Sequence, residues 1–220
     1  MLDPIIGIFA PHICLVCGVE GSLLCAWCLP DAIPVLPERC YRCNSVSQDS
    51  AVCKKCRADS RLKFVWARGQ YGDVTKTLIY QLKFGRKKAA ARVIARLLDE
   101  SVPFLPKDTL ITYVPTATSR VRVRGYDQSR LIAKELSKLR GLTMSPLLVR
   151  LGQTRQVGAT RKQRIKQASN NYRLTNKRVT GQNIVIIDDI LTTGATVEAA
   201  AKLLKQAGAK QVNAAVFAQK

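Results

Sequence analysis

At 220 residues, 47% hydrophobic and 23% charged, the chain has the length of one or two globular domains, and its composition excludes a disordered or fibrous protein. No apolar run approaches the ~20 residues a membrane span needs. The formal charge of +21 is uneven: residues 1–60 hold five basic and six acidic side chains, net −1, and residues 61–220 hold 31 and nine, net +22. A localised excess of that size points to a polyanionic partner, a phosphate-rich ligand or nucleic acid.

At the N-terminus, Asp3 stands where a signal peptide carries positive charge, and Pro4 and Pro11 bracket the short apolar patch 5–10. The reading is a cytoplasmic protein, a compartment in which disulfides rarely persist.

All eight cysteines precede residue 60, as four Cys-x-x-Cys pairs. Two thiolates three residues apart on a tight turn can face one tetrahedral ion, and two such turns close a four-sulfur site. Paired in sequence, Cys14, Cys17, Cys25 and Cys28 form one zinc site and Cys40, Cys43, Cys53 and Cys56 another. Crossed pairing of the four knuckles and iron–sulfur clusters also fit the spacing. The two groups, separated by Pro30, Pro34 and Pro37, read as an imperfect duplication. Closed four-thiolate sites leave no open position, so their role is structural. His12, the only histidine, is read as a bystander.

Beyond residue 60 the pattern is α/β. A strand is expected over 64–71, helices over 74–84 and 87–98, a strand over 110–114 and a loop over 115–124. A helix over 126–139 follows, then a polar, basic stretch over 150–171. Next come a buried strand over 184–187, a helix over 194–207 closed by Gly208, and a last strand over 212–217. Alternation of this kind builds a parallel, doubly wound sheet. The expected organisation is a double zinc ribbon over 1–60 and an α/β domain over 61–220.

The richest motif is Asp188-Asp189-Ile190-Leu191-Thr192-Thr193-Gly194-Ala195-Thr196. A buried strand delivers two adjacent carboxylates, and a hydroxyl-rich turn leads into a helix. Backbone N–H groups and the Thr192, Thr193 and Thr196 hydroxyls can converge on a phosphate at the positive helix end, with Gly194 allowing close approach. The two acids repel phosphate and suit instead the hydroxyls of an attached sugar, or Mg2+. The loop over 115–120, with Thr116, Ala117 and Thr118, follows a strand end, and Arg122 and Arg124 could neutralise a second phosphate group. The stretch over 150–166 carries Arg150, Arg155, Arg161, Lys162, Arg164 and Lys166 without an acid. Such a run self-repels unless an anion meets it.

The 188–196 segment resembles the phosphoribosyl-pyrophosphate (PRPP) signature of type I phosphoribosyltransferases. The wider pattern resembles the ComF family of competence-associated proteins, including its GntX-like members. The matching pieces are the cysteine knuckles, Leu82-Lys83-Phe84-Gly85, Val114-Pro115, Arg124-Gly125-Tyr126-Asp127-Gln128, and Thr154, Gln156 and Arg164. The resemblance implies a type I phosphoribosyltransferase-like fold. Asp188 and Asp189 would hold the ribose hydroxyls and support Mg2+, 192–196 the 5′-phosphate, 115–120 the pyrophosphate, and 150–166 a loop closing over the site. Competence-machinery proteins are implied partners. Asp127 and Gln167 stand where the family usually has Asn, and Thr192 stands where some phosphoribosyltransferases carry a catalytic acid, so no general base is assigned.

Three functions compete: transfer of a phosphoribosyl group from PRPP to an acceptor, DNA handling by a protein that keeps the phosphate site and binds single strands through Arg155, Arg161, Lys162 and Arg164, and nucleotide sensing. The first works by electrostatic stabilisation of departing pyrophosphate.

Overall fold

The computed structural model describes residues 12–151 and 171–220. In chain order the elements beyond the cysteines are β1 (Val65–Gln70), α1 (Asp73–Lys83), α2 (Ala89–Ser101), β2 (Leu110–Tyr113), α3 (Thr118–Arg124) and α4 (Gln128–Arg140). They continue with β3 (Thr143–Met144), β4 (Leu148–Arg150), β5 (Tyr172–Leu174), β6 (Asn183–Leu191), α5 (Ala195–Gln206) and β7 (Gln211–Gln219). Five strands pair in parallel in the order β1-β7-β6-β2-β3.

The central strands β6 and β7 are buried along nearly their whole length, because both faces of the sheet are covered. Ile184, Ile186, Ala214 and Val216 face α5 through Ala200 and Leu204. Val185, Ile187, Ala215 and Phe217 face the other way, onto Leu78, Leu82, Ile94, Leu98 and Ile132 of α1, α2 and α4. From β2 the chain steps outward to β3, and from β6 it steps in the opposite direction to β7. The crevice between the C-terminal ends of β2 and β6 is therefore the topological switch point, where open parallel sheets bind ligands.

Each half of the cysteine segment joins one of the two cores. Cys14, Leu23, Leu24 and Ile33 pack with α1 and α2, while Cys40, Tyr41 and Val52 pack with α5. The duplication holds in the backbone. Gly18 N–H donates to Cys14 O at 3.0 Å, and Asn44 N–H to Cys40 O at 2.8 Å. Both residues turn the knuckle in the left-handed region, at φ 76° and 61°. The first half docks where Gly69 admits it: a Cβ there would fall 2.7 Å from Ile33 Cγ2. Beside it, Arg68 Nη1 donates to Ile33 O at 2.7 Å.

Three features depart from the sequence expectation. Residues 118–124, expected in a loop, form α3 and end at Gly125 with φ 81°. The run Thr-Ser-Arg-Val-Arg-Val-Arg alternates with period two, which masks a helix. The strand expected over 184–187 runs on to Leu191, because β7 offers Val216, Ala218 and Gln219 as partners to Asp188, Ile190 and Leu191. The short strands β4 and β5 pair antiparallel, Arg150 opposite Tyr172, and bring Leu151 N–H to Asn171 O at 2.8 Å. They root the basic stretch at both ends. Arg155, Arg161, Lys162, Arg164 and Gln167 themselves lie outside the described residues.

Candidate phosphoribosyl site and cysteine clusters

Asp188 and Asp189 sit at the C-terminal end of β6, 9% and 5% exposed. They reach two different helices. Ser129, at the start of α4, donates to Asp188 Oδ1 at 3.2 Å, and the Asp189 amide donates to the same oxygen at 2.9 Å. Asp189 Oδ2 pairs with Lys83 Nζ at the end of α1. Asp189 Oδ2 otherwise accepts no hydrogen bond among the described residues. Among the described residues Lys83 is the one cation in ion-pair contact with these two buried carboxylates, and the charge of Arg124 also acts on Asp189. Burial, and then the neighbouring charge of Asp189, push the Asp188 carboxyl up to about 8. A pair so placed suits a ligand that brings hydroxyl donors or a divalent cation, and Mg2+ fits this donor set.

The turn that follows exposes Thr192 and leaves Thr193 and Thr196 half-buried, while Gly194 and Ala195 are buried. Helix α5 begins with Gly194 as its N-cap, at φ 74°. Glycine has no side chain to accept the first-turn N–H groups, and the Thr193 hydroxyl meets Ala195 N–H only at 3.4 Å. The positive end of α5 therefore keeps donors for an anion, next to the carboxylate pair.

Across the crevice, the backbone after β2 is held by the N-terminus of α4. Asp127 caps that helix, with Oδ1 accepting Arg130 N–H at 3.1 Å, while Oδ2 accepts Thr116 N–H at 2.6 Å. Gln128 Oε1 accepts both the Thr116 hydroxyl at 2.9 Å and Arg124 Nη1 at 2.8 Å. Burial pushes the Asp127 carboxyl up, and the Thr116 N–H pulls it back down. Asp127 thus performs two tasks at the position where the family usually carries Asn. Ala117 is buried, Thr118 and Arg122 are exposed, and Arg124 is half-buried.

Arg124 and Arg120 line a cleft of about 660 Å³ between α1 and α3, whereas Arg122 is not among its lining residues. Lys83 and Arg86 were not singled out as ligand contacts from the sequence, and Arg120 entered only as the last residue of the 115–120 loop. For Lys83 the signal was present in Leu82-Lys83-Phe84-Gly85, the piece that carries part of the family resemblance.

The eight sulfurs fall into the two sets expected in sequence, and pairing is not crossed. Within each set all ligand atoms lie within 4.8 Å of one another. Cys17 Sγ and Cys25 Sγ are 3.7 Å apart, and Cys43 Sγ and Cys53 Sγ are 3.6 Å apart. A zinc tetrahedron with ~2.3 Å bonds has an edge of about 3.8 Å, whereas a disulfide needs ~2.05 Å. The clusters could therefore hold zinc. Hydrogen bonds, first from the Cys17 backbone, pull Cys14 down to about 6, while Cys28 is driven up to about 12, first by its contact with Cys25. In the second set the Ser45 hydroxyl pulls Cys43 down to about 6, and burial drives Cys56 up to about 12. Four thiols so crowded ionise together only around a cation. His12 belongs to neither set.

The second cluster touches the start of α5. Tyr41, inside the Cys40–Cys43 knuckle, donates to Glu198 Oε1 in the first turn of α5, as does Ser60. Arg61 N–H donates to Glu198 Oε2 at 3.0 Å, and Arg42 Nη1 approaches Oε1 at 3.4 Å.

A parallel sheet with a switch-point crevice, a carboxylate pair and an uncapped helix start define a phosphoribosyltransferase-type protein. Residues 73–220 match the phosphoribosyl transferase domain. DNA utilization protein YhgH of Salmonella typhimurium is 33% identical over 212 residues, 91% of this chain and 87% of that protein. Competence protein ComFC of Bacillus subtilis is 24% identical over 223 residues, 89% of this chain and 90% of that protein. Competence protein F of Haemophilus influenzae is 27% identical over 154 residues, 66% of this chain and 67% of that protein. The chain belongs to the ComF family of phosphoribosyltransferase-domain proteins. Among the described residues no helix is long and apolar enough to cross a membrane.

Proposed function

We propose that the chain binds PRPP with Mg2+ at the switch-point crevice and serves DNA handling by also binding single-stranded DNA. The observation that carries the first part is the under-neutralised pair Asp188–Asp189 beside the start of α5, whose N-cap is a glycine. The carboxylates receive the ribose hydroxyls, and Mg2+ when bound adds charge neutralisation between them and the pyrophosphate. Thr193, Thr196 and the first amides of α5 receive the 5′-phosphate. The Thr116 backbone, braced by Asp127, faces the pyrophosphate. Lys83 is shared: once sugar hydroxyls engage Asp189, its ammonium is available to the pyrophosphate.

The DNA part is supported by the names of the relatives and by the net +22 of residues 61–220. Arg155, Arg161, Lys162 and Arg164 are proposed as phosphate contacts on the strand. Each of the two cysteine clusters holds one structural zinc ion, in a cytoplasmic protein.

Calorimetric titration with PRPP and Mg2+, then with single-stranded DNA on the same preparation, tests the reading. Saturable PRPP binding that requires Mg2+ is expected, and its loss in Asp189→Ala with the fold intact. Binding of neither ligand overturns it. Release of pyrophosphate on adding free bases would move the protein to the enzymes of nucleotide metabolism.

A further inference from the structure

Beside Asp189, the cleft between α1 and α3 is built from two kinds of side chain. Tyr80 stands in the last turn of α1 and Phe84 caps its C-terminal end, and both are open to water, 58% and 61% exposed. Their ring centroids lie 5.2 Å apart, tilted by 41°. The Arg124 guanidinium covers Phe84, 5.0 Å from its centroid. The remaining charges on the lining are cationic, including Lys76, Arg86 and Arg120, and no carboxylate is among the described residues that line the cleft.

Two exposed rings in a cleft are costly in water unless a ligand covers them. Aromatic faces joined to cations and free of acids match a base with its phosphates: the ring stacks, and the cations meet the backbone. A single mononucleotide is a poor match. Lys83 already pairs with Asp189, and the other four lining cations, the three above with Arg124, exceed what one or two phosphates can pair. A strand supplies one charge per nucleotide and an unstacked base, which a duplex withholds.

We propose that single-stranded nucleic acid is held in this cleft, one base stacked on Tyr80 and Phe84 and the flanking phosphates on Lys76, Arg86 and Arg120. This rests on the DNA part of the reading above and adds the place where the strand is read by stacking. Lys83 and Ile190 belong to both the cleft lining and the surroundings of Asp189, so the strand runs past the mouth of the PRPP site.

Fluorescence anisotropy at fixed salt tests it, using a labelled dT oligomer of about 12 nucleotides, a length within the range of single-strand sites. An abasic phosphodiester oligomer of equal length is the control. Wild type should prefer the dT oligomer. Tyr80→Ala/Phe84→Ala should lose about tenfold for dT, the scale of one lost stacking contact, and nothing for the abasic oligomer. Tyr80→Leu/Phe84→Leu, which keeps apolar bulk, should lose as much. Arg86→Ala/Arg120→Ala should flatten the log–log salt slope by about 1.4. Mg·PRPP affinity of the two ring variants should stay at the wild-type value.

Equal wild-type affinity for both oligomers, or ring variants within twofold of wild type, overturns the cleft as a stacking site while leaving DNA binding through charge in place. Absence of any DNA binding, with Mg·PRPP still bound, overturns the DNA part and this proposal together. Binding of an acidic peptide but not of dT, lost in the ring variants, assigns the cleft to a protein partner and overturns the proposal.

Discussion

The ring of Tyr41 lies against Gly194: a Cβ built on that glycine would fall 2.5 Å from Tyr41 Cε2. The tyrosine belongs to a cysteine knuckle and the glycine to the turn over 192–196, so the second cluster and the proposed sugar-phosphate site share a contact surface. Glu198, four residues beyond Gly194, fastens the same surface by accepting from Tyr41, Ser60 and Arg61 N–H. The turn thus has a wall on one side that exists only while the knuckle is folded.

Metal removal should therefore reach the proposed PRPP site. Structural zinc binding energy is folding energy for the knuckle that it closes. Cys40→Ser should weaken Mg·PRPP binding by about tenfold or more, a typical coupling between sites. Cys14→Ser should do so less, since its unit packs with α1 and α2 on the opposite face of the sheet. Calorimetry on both variants checks this, with elemental analysis expected to return two zinc ions in wild type and one in each variant. Equal PRPP affinity in wild type and Cys40→Ser would separate the two sites.

The wall itself can be probed without touching a cysteine. Tyr41→Ala removes a buried ring and should cost about 3–5 kcal/mol of stability, on the scale of other buried aromatics. Tyr41→Phe keeps the ring on Gly194 and removes one donor from Glu198, which still has Ser60, Arg42 and Arg61 N–H. Its cost should be about 1–3 kcal/mol, with PRPP affinity near wild type. Gly194→Val combines a positive φ with the Tyr41 clash, so it should lower thermal stability as well as PRPP affinity. Urea melts and calorimetry on the three variants give both numbers.

Asp188 should leave a signature in the pH dependence of stability. Below about pH 4 its carboxyl is protonated in both the folded and unfolded chain. Between there and about 8 the unfolded chain ionises it and the folded chain does not, so the folded state loses stability as pH rises. The loss is at most about 1.4 kcal/mol per pH unit and stops growing above about 8, where the folded chain ionises too. Asp188→Asn removes the titration. In the PRPP-free protein its stability advantage should grow from pH 5 to about 8 and then level off. Urea unfolding of both chains across that range isolates the effect, because the cysteine clusters titrate alike in each. An advantage independent of pH would mean that Asp188 is ionised throughout.

The carboxylate pair and the turn after it were legible because the whole motif is local, nine consecutive residues with an uninterrupted chemical logic. The cysteine pairing was legible for the same reason: short loops bring each set of four together. What escaped the sequence is non-local. Tyr41 and Glu198 are 157 residues apart, and each alone looks ordinary, one a knuckle filler and the other a first-turn acid on a helix. Lys83 reads as a cation at a helix end until β6 places Asp189 beside it. Helix α3 fell inside a segment read as a loop, since Val121 and Val123 alternating with Arg120, Arg122 and Arg124 show no helical period.

Asp127 offers a test of how the proposed pyrophosphate side is held. Its two carboxylate oxygens do separate jobs, one capping α4 through Arg130 N–H and one holding Thr116 N–H. Asparagine has a single acceptor oxygen, so Asp127→Asn must release one of the two donors. The cap forms within the first turn, requires no loop ordering and should survive, leaving Thr116 N–H facing an amide NH2. Stability should then change by less than about 1 kcal/mol, because asparagine caps about as well as aspartate. Mg·PRPP affinity should fall several-fold, because the backbone after β2 loses its brace. Asp127→Ala forfeits both jobs and should cost a further ~1 kcal/mol of stability from the lost cap. Thermal melts paired with PRPP titrations separate the two jobs. If Asp127→Asn binds PRPP as tightly as wild type, the Thr116 bond does not position this loop, and Gln128, which accepts the Thr116 hydroxyl, is the residue that does.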